Sequence, residues 1–158
     1  MSSFFRAMIL MLALGSCAGG TGHNSAPRAL DDACSIVSER PEYLRAFRRV
    51  ERKYGVPVPS LMAIIYQESK FIGNARTPYR FVLGVIPMGR QSSAYGYAQV
   101  LDGTWDDYRK EAGRWGARRT NINDATDFMG WYMDGTTRQL GISKSDARNQ
   151  YQIGRAHV

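Results

Sequence analysis

Apolar residues recur at helical spacing in several segments of the chain. In the first segment, Tyr43, Phe47 and Val50 follow one another at intervals of three or four residues, which is the spacing of one face of an α-helix. Pro41 suits the first helical position, and Gly55 suits the position after the last one. The pattern therefore predicts a helix between these two residues.

Three more helices are predicted from the same periodicity, and each begins at a residue type that commonly opens a helix. Their predicted starts are Pro59 for the second helix, Thr104 (as an N-cap) for the third, and Asn123 or Asp124 for the fourth. Ser143 to Tyr151 looks like the start of a fifth. No strand pattern competes with these helices, but residues 73–102 form a long segment rich in Gly, Pro and Tyr. A loop of that length is usually functional, so we expect an all-α domain with one wide irregular segment.

Composition narrows the class of protein. The 158 residues are 44% hydrophobic and 22% charged, which fits one soluble globular domain and excludes wholesale disorder. Two cysteines cannot form a disulfide scaffold, and no Cys and His stand at zinc-ligand spacing. A formal charge of +7 favours an anionic partner or surface. Nucleic acid is disfavoured as that partner, because the basic residues are spread along several segments.

The N-terminal residues resemble an export signal. Arg6 precedes an apolar run over residues 7–14, which is too short to span a bilayer and ends in small residues. Leu-Gly-Ser-Cys at residues 14–17 resembles the bacterial lipobox, whose cysteine is lipidated and becomes the new N-terminus; an ordinary cleaved signal is the alternative. The resemblance implies that residues 1–16 are a lipoprotein signal peptide and that Cys17 carries the anchor. Because Ala18 follows instead of an aspartate, it also implies a periplasm-facing protein at the outer membrane.

Residues 17–33 are expected to be a flexible tether, because residues 18–27 contain three Gly, one Ser and one Pro and are poor in apolar side chains. Lipidation of Cys17 would leave Cys34 without a partner. In an oxidising compartment such a cysteine is either buried or paired outside this chain, and burial is the expectation here.

Glu68 is the most informative residue of the second predicted helix. Leu61, Ile64, Ile65 and Glu68 lie on one face, so a carboxylate ends an apolar stripe. Partial burial would favour the protonated form that a general acid needs. Periodicity alone leaves open the alternative that Glu68 only reaches solvent beyond the helix end.

Three motifs resemble those of the SLT-type lytic transglycosylases, which are lysozyme-like enzymes of bacterial cell-wall turnover. The first comprises Tyr-Gly-Val-Pro at 54–57, Leu-Met-Ala-Ile-Ile at 61–65 and Gln-Glu-Ser at 67–69. The second is Gly-Tyr-Ala-Gln-Val at 96–100 with Gly-Thr-Trp at 103–105, and the third is Asn-Ile-Asn-Asp-Ala at 121–125 with Gly130 and Tyr132. Their order over half the chain makes chance agreement improbable. The closest resemblance is to the small lipoprotein members of the family.

The resemblance implies an all-α, lysozyme-like domain whose irregular segment lines a cleft. It also implies that one glutamate, Glu68, cleaves the bond between N-acetylmuramic acid and N-acetylglucosamine in peptidoglycan, first as acid and then as base. The C6 hydroxyl of the muramoyl residue closes a 1,6-anhydro ring, so water is not consumed and no metal or cofactor is required. A goose-type lysozyme using water and a non-catalytic peptidoglycan-binding lipoprotein are the alternatives.

Other residues of this chain match functional positions of the family less directly. Gln99 matches a glutamine that lines the cleft, and Tyr97 stands where the family often has an apolar residue; both are expected to bind substrate. Thr77 matches a serine that bonds the carboxyl group or the sugar, and Ser93 or Ser92 could serve instead. The alternatives are structural: Gln99 could brace the loop, and Thr77 could be a turn residue. Asp124 is expected to be a helix cap.

The C-terminal residues depart from the family pattern. The resemblance calls for a complete later helix with a tyrosine that approaches the glutamate, whereas residues 153–158 resemble a translated sequencing adapter. The transglycosylase domain is therefore expected to cover residues 34–152 and to be incomplete, and residues 153–158 are expected to be a non-native tail. We expect the incomplete domain to have reduced stability and activity.

Overall fold

The structure is a computed structural model that describes residues 23–156 of the chain. This part contains six helices and one β-hairpin. In chain order the elements are α1 (Ala33–Glu39), α2 (Pro41–Tyr54), α3 (Val58–Ser69), β1 (Tyr79–Val82), β2 (Ile86–Arg90), α4 (Asp102–Glu111), α5 (Ile122–Leu140) and α6 (Ala147–Ala156). The expected helical architecture is confirmed, with the small hairpin as its one β-sheet among the described residues. None of the described helices is both long and apolar enough to cross a membrane.

The core lies between α2, α3 and α5. The apolar stripe of α2 is buried as predicted, and Tyr43 and Phe47 are fully inaccessible to solvent. Helix α5 approaches α2 closely at Gly130, where a Cβ atom would lie 2.3 Å from the Tyr54 ring and 2.7 Å from a Val50 methyl carbon. This glycine therefore allows the contact that joins the two helices.

Helix α3 matches its prediction within two residues. It begins after Pro57 and ends at Ser69, and Lys70 and Phe71 then adopt left-handed backbone angles, with φ of 52° and 61°. The abrupt end sets Glu68 in the last turn of the helix.

Two predicted helix caps are wrong. Helix α4 begins at Asp102 with Leu101 at the N-cap position, so Thr104 is already inside the helix. Helix α5 is capped by Asn121, whose side-chain oxygen accepts from the backbone N–H groups of the next helical turn. Asp124 instead accepts hydrogen bonds from Arg114 and from the backbone N–H of Arg118.

Three elements, β1, β2 and α1, are absent from the prediction. Strands β1 and β2 pair in antiparallel fashion within the segment expected to be irregular, and every residue of both strands is exposed. A fully exposed hairpin has no alternation of buried and exposed positions, so it leaves no strand pattern in the sequence. Helix α1 has only seven residues, of which Ile36 alone is buried, which is too short for a periodic pattern.

The expectation of a flexible tether is wrong for its described part, residues 23–33. The backbone N–H of His23 donates to the Tyr97 hydroxyl (2.9 Å), and the Gly73 N–H donates to the His23 carbonyl (2.6 Å). The Arg40 guanidinium donates to the Ser25 carbonyl at 2.9 Å. These contacts fasten the segment to the domain.

Cys34 is exposed, so the expectation of burial is also wrong. It lies in the first turn of α1, where its backbone N–H donates to the capping carboxylate of Asp32 at 2.8 Å. The proposed signal peptide and Cys17 fall in residues 1–22, outside the described residues. Residues 153–156 continue α6, and the assignment of 153–158 as a non-native tail stays a prediction.

Candidate active site

A cavity lies where α3, the loop before α4, and helices α4, α5 and α6 meet. Its lining residues are Ile64 and Glu68 of α3, Ala98, Gln99, Val100 and Leu101 of the loop, Thr104 of α4, Phe128, Met129, Tyr132 and Met133 of α5, and Gln150, Tyr151 and Gly154 of α6. Most of these side chains are apolar, so the few polar groups would orient a ligand.

Glu68 is the one carboxylate among the residues that line this cavity. It is partly buried and lies one turn after Ile64 on the same face of α3. The left-handed residues that follow stop the helix immediately afterwards. Glu68 faces a cavity that apolar side chains of α5 also line. It therefore does not simply extend into solvent beyond the end of the helix, which was the alternative.

Gln99 combines the two roles that the sequence left open. It lines the cavity, and its side-chain nitrogen donates to the carbonyls of Ala75 (2.9 Å) and Gly96 (2.8 Å). Its backbone has a φ of 46°, an angle that non-glycine residues rarely adopt. The side-chain hydrogen bonds hold this turn against the opposing segment, so Gln99 shapes the wall that it forms.

Tyr97 is not among the residues that line the cavity. It is fully buried, and its hydroxyl lies 3.1 Å from that of Tyr43 and accepts from the His23 N–H. Tyr97 therefore belongs to the core, while Ala98 and Gln99 face the cavity. Burial raises the pKa of the adjoining Tyr43 hydroxyl well above its usual value, which keeps that hydroxyl neutral. The expected substrate-binding role of Tyr97 is replaced by a structural one.

Thr77 and Ser93 are also outside the cavity lining. The Thr77 hydroxyl donates to the Ser92 carbonyl (2.9 Å) and accepts from the Ser92 N–H. The Ser93 hydroxyl accepts from the backbone N–H of Asp102 at 3.1 Å, at the start of α4. Both hydroxyls close the base of the irregular segment, as the turn-residue alternative for Thr77 anticipates.

Helix α6 supplies polar residues that the sequence did not indicate. Tyr151 lines the same cavity as Glu68, and Gln150 is 3% exposed. The Gln150 side-chain nitrogen donates to the carbonyls of Ile142 (3.2 Å) and Ser143 (3.4 Å), and its side-chain oxygen is the one buried polar side-chain atom of the described residues without a hydrogen-bond partner. The sequence predicted only the start of this helix, so its contribution to the wall was missed.

Tyr132 of α5 also lines the cavity, and burial raises the pKa of its hydroxyl. A tyrosine with a raised pKa stays protonated at neutral pH and can donate a hydrogen bond. Across residues 23–156, no group of three or more His, Cys, Asp or Glu residues could hold a metal ion.

The family model described as "Transglycosylase SLT domain" matches residues 5–154 of the chain. The match includes all three sequence motifs and every residue that lines the cavity. No curated protein matches the chain.

Proposed function

The chain belongs to the transglycosylase SLT domain family, an enzyme family of lytic transglycosylases that act on peptidoglycan, and from that membership we propose that Glu68 is the catalytic acid and base. The observation that carries the proposal is that Glu68 is the one carboxylate in a largely apolar cavity. Most glycosidases need two carboxylates, so a site with a single one favours chemistry in which the substrate supplies the second group.

The proposed reaction begins when the Glu68 carboxyl group donates its proton to the oxygen that bridges N-acetylmuramic acid and N-acetylglucosamine. The bond from this oxygen to C1 of the muramoyl residue breaks, and the acetamido oxygen of the same sugar stabilises the positive charge at C1. The Glu68 carboxylate then removes the proton of the C6 hydroxyl, and the C6 oxygen forms a bond to C1. Glu68 ends protonated again, and the product is a 1,6-anhydro sugar.

The other polar residues of the cavity fit supporting roles. Tyr132 and Gln150 bring hydroxyl and amide groups to the cavity lining, where hydroxyl and acetamido groups of a sugar need hydrogen-bond partners. Gln99 keeps the loop wall in place through its two bonds to backbone carbonyls. Loss of Gln99 would therefore weaken substrate binding by moving the wall.

Replacement of Glu68 by Gln tests this proposal. The change keeps the side-chain size but removes the transferable proton, so release of soluble fragments from purified sacculi should fall by about 10²–10⁴-fold. Glu111→Gln is the matched control, because Glu111 is exposed on α4 and is not among the residues that line this cavity. Mass spectrometry of wild-type products should show anhydromuramic ends. Reducing muramic ends would identify a hydrolase, and near-normal turnover by the Glu68→Gln variant would refute the role of Glu68.

We also propose that Cys17 anchors the protein in the bacterial envelope, with the domain facing the periplasm at the outer membrane. The support is the Leu-Gly-Ser-Cys sequence at residues 14–17 after an apolar run. Cys17→Ser should move the protein from the membrane fraction to the soluble periplasmic fraction after cell disruption. Equal membrane retention of the two forms would require a different anchor.

A further inference from the structure

The β-hairpin carries a concentration of exposed apolar side chains. Of the ten large apolar residues that are exposed in the described part of the chain, seven lie between Tyr79 and Met88. Leu83 and Val85, at the turn, are 86% and 75% exposed. Apolar patches of this kind on soluble domains commonly mark a binding surface.

Little of the domain supports this hairpin. Its strands pair with each other through Phe81 opposite Pro87 and Val82 opposite Ile86, and every residue from 78 to 91 is exposed. An isolated two-stranded hairpin is marginally stable in water. A surface that covers its apolar side chains would therefore stabilise it.

The hairpin and the chain on either side of it carry positive charge and no negative charge. The stretch from Ser69 to Leu101 contains no Asp or Glu, but it contains Lys70, Arg76, Arg80 and Arg90. The Arg90 guanidinium lies 4.3 Å from the centre of the Tyr79 ring, at the open end of the hairpin. The hairpin thus has an aliphatic tip, followed toward its base by a band in which aromatic and cationic side chains are interleaved, namely Phe81, Arg80, and Tyr79 opposite Arg90.

This order matches the layers of an anionic lipid surface. Aliphatic side chains enter the acyl region, aromatic rings favour the interface, and arginines contact the headgroups. A glycan strand fits less well, because the aliphatic tip offers no hydrogen bonds to sugar hydroxyls. We propose that the tip of the hairpin, residues 82–86, inserts into an anionic lipid surface.

The N-terminal segment is consistent with this orientation. The carbonyl of His23 accepts from the Gly73 N–H, three residues before Arg76 at the base of the hairpin. Cys17, the lipid anchor under the proposed function, is six residues before His23, a reach of at most about 20 Å. Anchor and hairpin would therefore contact one membrane, and a lipid anchor holds more firmly when a second element also binds.

Tryptophan quenching in the full-length Cys17→Ser chain, which lacks the proposed lipid anchor, tests the proposal without depending on that anchor. Leu83→Trp places a fluorophore at the tip, and Leu140→Trp is the matched control, because Leu140 is also exposed but lies at the end of α5. Vesicles of phosphatidylethanolamine and phosphatidylglycerol with brominated acyl chains should reduce the added emission of the first variant and leave that of the second unchanged. Emission of the wild-type tryptophans is subtracted from both.

Charge dependence provides an independent check. Quenching of the Leu83→Trp variant should be weaker with phosphatidylcholine vesicles and at high salt. It should also be weaker when Arg80→Gln is combined with Leu83→Trp. Combination with Arg48→Gln, at an exposed position on α2, should have no effect on the quenching. Equal quenching at positions 83 and 140 would indicate general adsorption and overturn the proposal. The proposal would also be overturned if the emission at position 83 changed with purified sacculi but not with vesicles, because the hairpin would then bind glycan. Neither result depends on whether Glu68 is catalytic.

Discussion

Replacement of Gly130 by alanine perturbs a close approach between α2 and α5. The new methyl group would lie 2.3 Å from Cδ2 of Tyr54 and 2.7 Å from Cγ1 of Val50. Both distances are far shorter than a van der Waals contact, and the two neighbours lie on the same helix. The helices must therefore separate or the side chains must leave their preferred rotamers.

The magnitude follows from two opposing effects. Overpacking of a core contact costs about 1–3 kcal/mol, whereas alanine stabilises a helix interior by about 0.5–1 kcal/mol relative to glycine. Gly135 in the same helix isolates the second effect, because a Cβ atom there would have no neighbour within 4 Å. We expect Gly130→Ala to lower the free energy of unfolding and Gly135→Ala to raise it, so that the two variants differ by about 1–3 kcal/mol.

Urea unfolding of the wild type and both variants measures the difference, and thermal unfolding should show a shift of about 2–4 °C for each kcal/mol. The m-value should stay constant, because a change would indicate an altered unfolded state. If Gly130→Ala were as stable as Gly135→Ala, the close approach of the two helices would not be a feature of the folded protein.

Three further predictions concern single contacts. Asn121→Ala should lower stability by about 1 kcal/mol, and Asn121→Asp should retain most of it because a carboxylate also caps a helix; urea unfolding measures both. Tyr97→Phe should lower the melting temperature without changing KM for sacculus fragments, because its hydroxyl bonds within the core; a large rise in KM at unchanged stability would restore a substrate role. The hydrogen bond from Lys144 holds the pKa of Asp134 below its usual value. The Asp134–Lys144 pair therefore contributes its full stabilisation at pH values above the pKa of an unfolded aspartate, near 3.9. This contribution is lost as the pH falls through the lower pKa that Asp134 has in the folded state. The stability advantage of the wild type over Asp134→Asn should therefore be full at pH 6 and vanish in strong acid, whereas a constant advantage at all pH values would contradict the ion pair.

Helices α2 to α5 could be predicted because each one buries an apolar stripe, and a recognisable residue at the helix end strengthens the prediction. Helix α2 has both signals, in Tyr43 and Phe47 on one face and in Gly55 after its last turn. The hairpin has neither, because burial does not distinguish one face of its strands from the other. Sequence periodicity reports burial, so an element that the domain leaves uncovered gives no periodic signal.

The candidate site was predictable only in part. Glu68 and Gln99 could be identified from motifs, and both line the cavity. The motif also suggested Tyr97, but the direction of its side chain depends on a turn that includes the left-handed Gln99, which sequence spacing does not reveal. Gln150 gave no signal, because a buried oxygen without a partner is a property of the packed helix.

The segment from Gly96 to Val100 has a consequence for how the domain opens. Its Tyr97 side chain is in the aromatic core, its Ala98 and Gln99 side chains are in the cavity wall, and its Tyr97 amide donates to the Arg119 carbonyl at 3.2 Å. The wall therefore cannot loosen without disrupting the core, so its amides should exchange hydrogen for deuterium only when the whole domain unfolds. Amides of the exposed hairpin should exchange much faster by local opening. The domain would thus combine a cavity wall whose shape persists for the lifetime of the folded state with a hairpin that opens and closes many times within it.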